Sequence, residues 1–303
     1  REALDSAVIA LEAAGVDTPR LDAEVLLADV LGADRAALIA HPARELEPDE
    51  TRRFQAAARR RVQREPVAYI TGRRGFRGIE LAVDRRVLIP RPETEHVVEA
   101  ALGLPRRARV VDVGTGSGAI ALALKAERPD LDVVATDADA GALDVARVNA
   151  ARLGLDVAFV HGDLLAGVEA DAVLSNPPYV ADGTPLMPEI ARWEPRVAVF
   201  SGGEGLTVVR RLVPAAAEAG ARFIALEVGA GQAAAVADLV RAAGFAEIEV
   251  VPDLAGIERV VVGRAPSPRD DREAAARAAA TPRDASRAAA SARDDDAQRV
   301  GRR

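Results

Sequence analysis

The chain begins with a region in which apolar residues recur every three or four positions. In the segment LDAEVLLADVLG, Leu21, Val25 and Leu31 lie near helical spacing. A later segment, EPDETRRFQAAARRRVQREP, changes from acidic to basic residues, as a helix dipole favours. The pattern predicts an all-helical domain over residues 1–68.

Short β-type runs broken by glycine follow the helical region. Within YITGRRGFRGIELAVDRRVLIP, the interruptions fall at Gly72, Gly75 and Gly78. Glycine between short runs of this kind is typical of tightly turning strands. We therefore expect a β-hairpin linker over residues 69–92 that joins two domains.

From residue 93 onward, short apolar runs alternate with segments of helical periodicity. Four runs resemble buried parallel strands: ARVVDVG (108–114), LDVVATD (131–137), DVAFVHGD (156–163) and DAVLSN (171–176). Three more predicted strands, ARFIALEVG, FAEIEVV and IERVVVG, come later in the chain. The alternation predicts a doubly wound α/β domain over residues 93–263, with ligands at the carboxyl ends of its strands.

The tail over residues 264–303 has a different composition. Its apolar residues are alanines and one valine, so it has little surface to bury. Burial of that size does not offset the entropy lost on ordering a chain. We expect this tail to be disordered.

Composition and charge narrow the class of protein. The 303 residues are 49% hydrophobic and 29% charged, as in soluble globular proteins, and contain no cysteine for disulfides or thiolate metal sites. His41, His96 and His161 are too scattered to suggest a metal site. No segment approaches the roughly 18 apolar residues that span a membrane, and the first residues do not resemble a secretory signal. A cytoplasmic protein with no metal and no membrane contact is expected, and a net charge of −7 argues against a general nucleic-acid binder.

A glycine-rich corner follows the first predicted strand of the α/β domain. The segment VVDVGTGSGAIAL places Gly114, Gly116 and Gly118 before a helix, with Thr115 and Ser117 between them. Such a corner lets the backbone approach a ligand closely at a positive helix end. Because it also satisfies the dinucleotide pattern GxGxx[G/A], NAD and S-adenosylmethionine both remain possible at this point, beside a purely structural turn. Asp137, at the end of the next strand, is positioned to accept hydrogen bonds from a ribose diol.

Three further features favour S-adenosylmethionine. Asp112 precedes the first glycine by two positions, which gives the order DxGxGxG and resembles class I methyltransferases. Asp163 ends the third strand, where those enzymes commonly hold the adenine amino group. The sequence NPPY after the fourth strand is similar to that of methyltransferases acting on planar nitrogen in adenine, cytosine or the glutamine amide.

The NPPY segment has a physical rationale for this chemistry. Pro177 and Pro178 stiffen the backbone where the strand stops and cannot donate to a sheet. The side-chain oxygen of Asn176 and the carbonyl of Pro177 are acceptors for the two N–H bonds of a substrate –NH₂, and Tyr179 is able to stack on its flat face. Fixing the nitrogen in line with a methyl donor accelerates the displacement. The alternative is a strand-terminating turn with a surface tyrosine.

Other functions compatible with NPPY have weaker support. An adenine N6-methyltransferase acting on DNA or RNA is expected to carry a basic region with stacking aromatic residues. Phe54 is the one aromatic residue before Tyr69, and the chain is acidic overall. A non-catalytic nucleotide-binding or NAD-dependent protein has no use for NPPY.

Further motifs define a family resemblance over residues 2–263. LIPRPETE (88–95) precedes the α/β domain, and RWEPRVAVFSGGEGL, EVGAGQ and DLAGIERVV follow the NPPY segment. Together with EPVAYITGRRGFRGIELAVD, they resemble the HemK/PrmC family of peptide chain release factor glutamine N5-methyltransferases. The resemblance implies a class I, Rossmann-like S-adenosylmethionine-dependent methyltransferase domain behind a helical domain.

The resemblance also implies a substrate and a set of site residues. The substrate is the glutamine of the GGQ loop in class 1 release factors, bound through the helical domain and without direct nucleic-acid contact; a ribosomal-protein glutamine is the alternative. Carried onto this chain, the cofactor lies against Asp112, Gly114 to Gly118, Asp137, Asp163, Leu164 and Asn176, and the glutamine against Asn176 to Tyr179. Asn176, Pro177 and Tyr179 are the expected catalytic residues. Leu164 departs from relatives that have an aromatic residue there. The roles of Arg91, Glu93, Glu95 and Trp193 stay open between structure and function.

Overall fold

The computed structural model describes residues 2–40 and 44–266. The predicted disordered tail lies almost entirely outside these ranges, and so does His41, so the predictions for them stay predictions. The last strand continues to Arg264, one residue beyond the predicted end of the α/β domain. None of the helices in the described ranges has the length and apolar character needed to cross a membrane.

The N-terminal region is helical, as predicted. Leu11, Leu26 and Phe54 are fully buried at its centre, whereas Leu21 is exposed because the buried face of its helix runs through Asp22 and Leu26. The helices are α1 (Glu2–Ala13), α2 (Pro19–Leu31), α3 (Arg35–Ala40), α4 (Pro48–Val62) and α5 (Val67–Thr71).

A two-stranded antiparallel hairpin follows, formed by β1 (Arg73–Phe76) and β2 (Ile79–Ala82). It is shorter than the predicted segment, because Tyr69 lies in α5 and the helix ends at Gly72, whose φ is 72°. The hairpin is fastened to the α/β domain by Asn149, which is fully buried. The Asn149 side chain accepts from the N–H of Ala82 and donates to the carbonyls of Ala82 and Ser117, at 2.7–3.0 Å.

The remaining described residues form an α/β domain around one seven-stranded sheet. Its helices are α6 (Glu95–Ala101), α7 (Ala119–Glu127), α8 (Ala140–Leu153), α9 (Pro188–Trp193), α10 (Arg196–Val199), α11 (Thr207–Glu218) and α12 (Ala233–Ala242). Its strands are β3 (Arg109–Val113), β4 (Asp132–Asp137), β5 (Ala158–His161), β6 (Ala172–Ser175), β7 (Phe223–Glu227), β8 (Glu247–Pro252) and β9 (Glu258–Arg264). Apolar clusters pack on the two faces of the sheet, as expected for a doubly wound fold.

The strand order is β5-β4-β3-β6-β7-β9-β8. The first five strands in this order are parallel, which confirms the four predicted parallel strands and adds β7. In contrast, β9 is antiparallel to both β7 and β8. The difference has a simple cause: a short turn joins β8 to β9, and parallel neighbours would need a long crossover between them.

The order of the strands places a crevice beside β3. The chain proceeds from β3 to β4 and β5 on one side, then returns to β6 on the other, so the connections diverge at this strand. Asp112 pairs with Leu174, and the Ser175 hydroxyl donates to the Val113 carbonyl at 2.7 Å. The glycine corner and the NPPY segment therefore begin side by side at one edge of the sheet.

A buried ion cluster connects the helical region to the segment that follows NPPY. Arg61 donates to Asp22 at 2.7 Å and lies 2.8 Å from Glu189, which begins α9 with Pro188. Arg64 makes two further bonds to Glu189, at 2.7 and 2.8 Å. All four side chains are at most 13% exposed. Glu189 thus binds two largely buried guanidinium groups, one of which, that of Arg61, also binds Asp22.

Replacement of Glu189 by glutamine should destabilise the protein by about 3 kcal/mol, because it removes the carboxylate that binds Arg64 and leaves Arg61 with one carboxylate partner, Asp22, among the described residues. The measurement is the free energy of unfolding in urea. The matched control is Asp49→Asn, since Asp49 is 66% exposed in its pairs with Arg52 and Arg53. The control should lose less than about 1 kcal/mol. Equal losses in the two variants would contradict a stabilising role for the cluster.

Candidate active site

A cavity of about 520 Å³ opens at the carboxyl edge of the sheet, beside β3. This volume lies in the range of pockets that hold a nucleoside-sized ligand. Its wall contains Gly114 to Ser117, Asp137 to Ala140, Gly162 to Leu164 and Ser175 to Pro178. Loops after four different strands therefore contribute to one cavity.

The glycine corner is held in shape mainly by its own hydrogen bonds. The N–H groups of Gly114 and Thr115 both donate to the Thr136 carbonyl, and that of Gly118 donates to Thr115. Gly118 has a φ of 85°, and a Cβ there would lie 2.8 Å from Leu122 Cδ1. The glycines therefore give the loop its tight path and bare backbone surface, while most of its N–H groups already have acceptors.

Asp112 lies beneath this corner and does not line the cavity. Its Oδ2 accepts from the Thr115 hydroxyl at 2.6 Å and from the Ala121 N–H at 3.1 Å, which ties the loop to α7. Its Oδ1 is buried without a partner in the described part of the chain. Burial raises the pKa of Asp112 to about 7. The structure thus places Asp112 as a support of the loop.

Asp137 lines the cavity at the end of β4, as the sequence suggested. Its two oxygens accept from the N–H groups of Gly116 and Asp139, both at 2.9 Å. Burial raises the pKa of Asp137, and the two backbone bonds oppose that effect. Each oxygen keeps a second lone pair for a ligand hydroxyl.

Asp163 and Leu164 form the wall on the far side of Asp137. The carboxylate of Asp163 pairs with Arg211 and is 62% exposed. The carbonyl of Leu164 accepts from the Thr136 hydroxyl at 2.6 Å, which fixes the turn in which Leu164 has a φ of 50°. Leu164 supplies an aliphatic side chain rather than a flat ring to this wall.

Asn176, Pro177 and Pro178 line the same cavity, directly after β6. The Asn176 side-chain nitrogen donates to the Thr94 hydroxyl at 3.0 Å. Within the described residues, no donor lies at its Oδ1 or at the carbonyl of Pro177. Two oxygen acceptors without intramolecular partners therefore stand on a stiff corner at the cavity.

Thr94 and Glu227 lie behind Asn176 and are not among the site residues predicted from the sequence. Thr94 donates to Glu227 Oε2 at 2.6 Å, and Tyr179 donates to Glu227 Oε1 at 3.2 Å. Burial raises the pKa of Glu227 to about 7. Glu227 is the last residue of β7, next to β6, so the rule that places ligands at strand ends is a signal that could have found it.

Tyr179 does not belong to the cavity wall, although the sequence suggested that it contacts the substrate. Its hydroxyl is bound to Glu227, and its carbonyl accepts from Gln232 at 2.9 Å. Burial raises the pKa of Tyr179, and the nearby charge of Glu227 raises it further to a smaller extent. These contacts anchor the end of the NPPY segment.

Three of the four residues whose roles were open, Arg91, Glu95 and Trp193, have structural partners. Arg91 donates to Glu194 at 2.6 Å, and Glu95 accepts from the N–H of Arg77 at 3.1 Å in the hairpin turn. Trp193 packs against the buried cluster around Tyr69 and lies 4.0 Å below the guanidinium of Arg85. Three members of the LIPRPETE motif, Leu88, Pro90 and Thr94, line the cavity.

The fold and the cavity together indicate the class of protein. The catalytic domain of hMettl16 resembles the chain with a TM-score of 0.50 and 19% identity, over 62% of this chain and 76% of that one, a likeness that concerns the fold alone. A family model described as "Methyltransferase small domain" matches residues 95–233. The α/β domain is a class I, Rossmann-like methyltransferase domain.

Relatives along almost the whole chain specify the family. A model described as "PrmC N-terminal domain" matches residues 2–72. The chain is 45% identical to the release factor glutamine methyltransferase of Koribacter versatilis, over 88% of this chain and 99% of that protein. It is 44% identical to that of Deinococcus radiodurans, over 87% and 98%. The chain belongs to the release factor glutamine methyltransferase family.

Asp112→Asn should reduce the pH dependence of stability. The folded protein favours protonated Asp112 up to about pH 7, whereas the unfolded chain ionises near its ordinary value of 3.8. The contribution of Asp112 to the free energy of unfolding is therefore fully present at low pH and is lost as the pH rises between these two values, by up to about 4 kcal/mol. Asparagine does not titrate and keeps an acceptor for Thr115 and Ala121.

The measurement is the free energy of unfolding from about pH 4 to about pH 8 for wild type and variant. The two proteins share all other titrating groups. The difference between their slopes of unfolding free energy against pH therefore measures the titration of Asp112. Parallel curves would show that Asp112 titrates normally.

Proposed function

We propose that the protein transfers a methyl group from S-adenosylmethionine to the side-chain amide nitrogen, N5, of the glutamine in the GGQ loop of class 1 peptide chain release factors. Family membership supports the reaction and the substrate class. The observation that carries the proposal is the shared cavity: Asn176 and Pro177 line the same space as the glycine corner and Asp137. A methyl acceptor and a methyl donor would meet there.

The residues of the cavity fit S-adenosylmethionine. Gly114 to Ser117 offer bare backbone, Asp137 offers carboxylate oxygens for a ribose diol, and Leu164 offers an apolar surface for a base. Asp163 is proposed to lie near the adenine amino group, with Asp112 and Gly118 supporting the loop from behind. When bound, this cofactor supplies an electrophilic methyl group on a sulfonium sulfur.

Asn176 and Pro177 are proposed to hold the substrate amide. The lone pair of an amide nitrogen is delocalised, so orientation matters more for this nucleophile than for an amine. Two acceptors, Asn176 Oδ1 and the Pro177 carbonyl, match the two N–H bonds of a glutamine side chain and draw electron density toward nitrogen. The nitrogen becomes acidic once it is alkylated, so no strong general base is needed. Pro177 and Pro178 keep the two acceptors at a fixed separation.

Tyr179 and the helical region have secondary roles in this proposal. The bond from Tyr179 to Glu227 fixes the end of the NPPY segment, and stacking of its ring on the substrate stays a prediction. The helical region and the hairpin are proposed to bind the release factor. They contact the methyltransferase domain through Glu189 and Asn149, close to the loops that line the cavity.

The substrate can be tested with labelled S-adenosylmethionine. The protein is incubated separately with a class 1 release factor, the same factor with its GGQ glutamine replaced by alanine, duplex DNA and ribosomal RNA. We expect label in the first sample alone. Label in nucleic acid and none in the release factor would reject the proposal and favour an adenine N6-methyltransferase.

Asn176→Ala should separate cofactor binding from turnover. The variant loses one substrate acceptor but none of the glycine corner, so calorimetry should show cofactor affinity near that of wild type. Methyl transfer should fall roughly tenfold to hundredfold, as expected when a buried substrate N–H loses its partner. Val197→Ala is a control at the cavity mouth, where Val197 is 74% exposed. A parallel loss of binding and turnover in Asn176→Ala would mean that Asn176 mainly maintains the fold.

A further inference from the structure

Three polar side chains from separate segments form a hydrogen-bonded row that ends at the cavity. Asn176 Nδ2 donates to Thr94 Oγ1 at 3.0 Å, and Thr94 donates in turn to Glu227 Oε2 at 2.6 Å. Thr94 is 3% exposed and Glu227 is 1% exposed, so water does not compete effectively for these bonds. We call Asn176, Thr94 and Glu227 the amide row.

The amide row determines which end of the Asn176 side chain faces the cavity. An ionised carboxylate only accepts hydrogen bonds, so the single O–H of Thr94 is committed to Glu227. The remaining lone pairs of Thr94 can only accept, and they require the nitrogen end of Asn176. The oxygen end is then turned away from Thr94, toward the cavity that Asn176 lines.

We propose that Thr94 and Glu227 are positioning residues that keep the oxygen of Asn176, rather than its nitrogen, toward the substrate amide. The inference rests on the proposed function, in which the substrate presents N–H donors at this point. Neither residue needs to touch the substrate, because both act through Asn176. The two segments concerned, LIPRPETE and EVGAGQ, thereby acquire a role in the reaction.

Protonation of Glu227 would reverse the direction of the row. A protonated carboxyl can donate to Thr94, whose O–H is then free to point at Asn176, and this arrangement favours a flipped amide with nitrogen toward the cavity. Burial raises the pKa of Glu227 to about 7, and Glu93 acts in the same direction. Thr94, Tyr179 and Arg259 lower it. Correct orientation is therefore lost as the pH falls through neutrality.

Thr94 is tested by two substitutions with opposite expectations. Thr94→Val keeps the shape but removes the hydroxyl, and kcat should fall roughly tenfold to hundredfold with unchanged cofactor affinity. Thr94→Ser restores the hydroxyl and should restore most of kcat. Thr207→Val, at the exposed start of α11, is the matched control and should behave as wild type. Wild-type kcat in Thr94→Val, or an equal loss in Thr94→Ser, would overturn the proposal.

Glu227 is tested by the pH dependence of kcat. For wild type, kcat should rise roughly tenfold between about pH 6 and about pH 8, as one group with a pKa near 7 ionises. In Glu227→Gln this rise should disappear, because the amide does not titrate. Glu249→Gln, on β8, is the matched control and should keep the rise. A rise that persists in Glu227→Gln would overturn the role of Glu227.

A measurement without substrate separates this inference from the proposed function. The side-chain NH₂ signals of Asn176 in NMR spectra, assigned by their loss in Asn176→Ala, should shift with pH around neutrality in wild type. They should not shift in Thr94→Val or Glu227→Gln. If they shift as expected but no release factor is methylated, the amide row stands and the proposed function fails. If they do not respond to pH in wild type, the amide row is wrong even if methylation occurs.

Discussion

The parallel pairing of β3 with β6 is the constraint on which the site depends. Because both strands run in the same direction and lie side by side, the glycine corner after β3 and the NPPY segment after β6 begin at one edge of the sheet. The Ser175 hydroxyl adds a bond to the Val113 carbonyl at this edge. A shift of register by one residue would turn the side chains of β6 to the opposite face and remove Asn176 from the cavity.

Two buried carboxyl groups lie at the carboxyl ends of β3 and β7, the strands on either side of β6, and they make different contacts. Asp112 bonds to Thr115 and Ala121, and so shapes the loop at which the cofactor is proposed to bind. Glu227 accepts hydrogen bonds from Thr94 and Tyr179, and so supports both Asn176, through Thr94, and the end of the NPPY segment. Burial of a carboxyl group usually costs stability unless hydrogen bonds offset the cost. Both groups are strong acceptors, and each accepts two hydrogen bonds that fix a loop beside the cavity.

The sequence was sufficient for the class of fold and for most of the cavity wall. Periodicity predicted the parallel strands, and the motifs at their ends located Asp137, Leu164 and Asn176. It could not show that Asp112 lies under the glycine corner. The position of Asp112, two residues before Gly114, indicates which face of β3 its side chain takes, but not how deeply that side chain is buried. Thr94 was missed for another reason, since its partners, Asn176 and Glu227, are distant in the chain and only the folded sheet brings them together.

The hairpin boundary illustrates the same limit. Gly72 was correctly taken as an interruption, but a glycine at a positive φ ends a helix as readily as it begins a turn, and here it ends α5. The antiparallel direction of β9 follows from the brevity of its connection to β8, which the sequence contains, whereas its pairing with β7 depends on the completed sheet.

Asn149 gives the protein a mechanical link between two regions of different purpose. One buried amide uses its oxygen and its nitrogen to bond the hairpin strand at Ala82 and the glycine corner at Ser117. Lifting the hairpin away from the sheet would break bonds at a side chain that water does not reach, and these bonds therefore oppose separation of the hairpin from the corner. A macromolecule bound to the hairpin would therefore be coupled through Asn149 to Ser117, in the wall of the cavity.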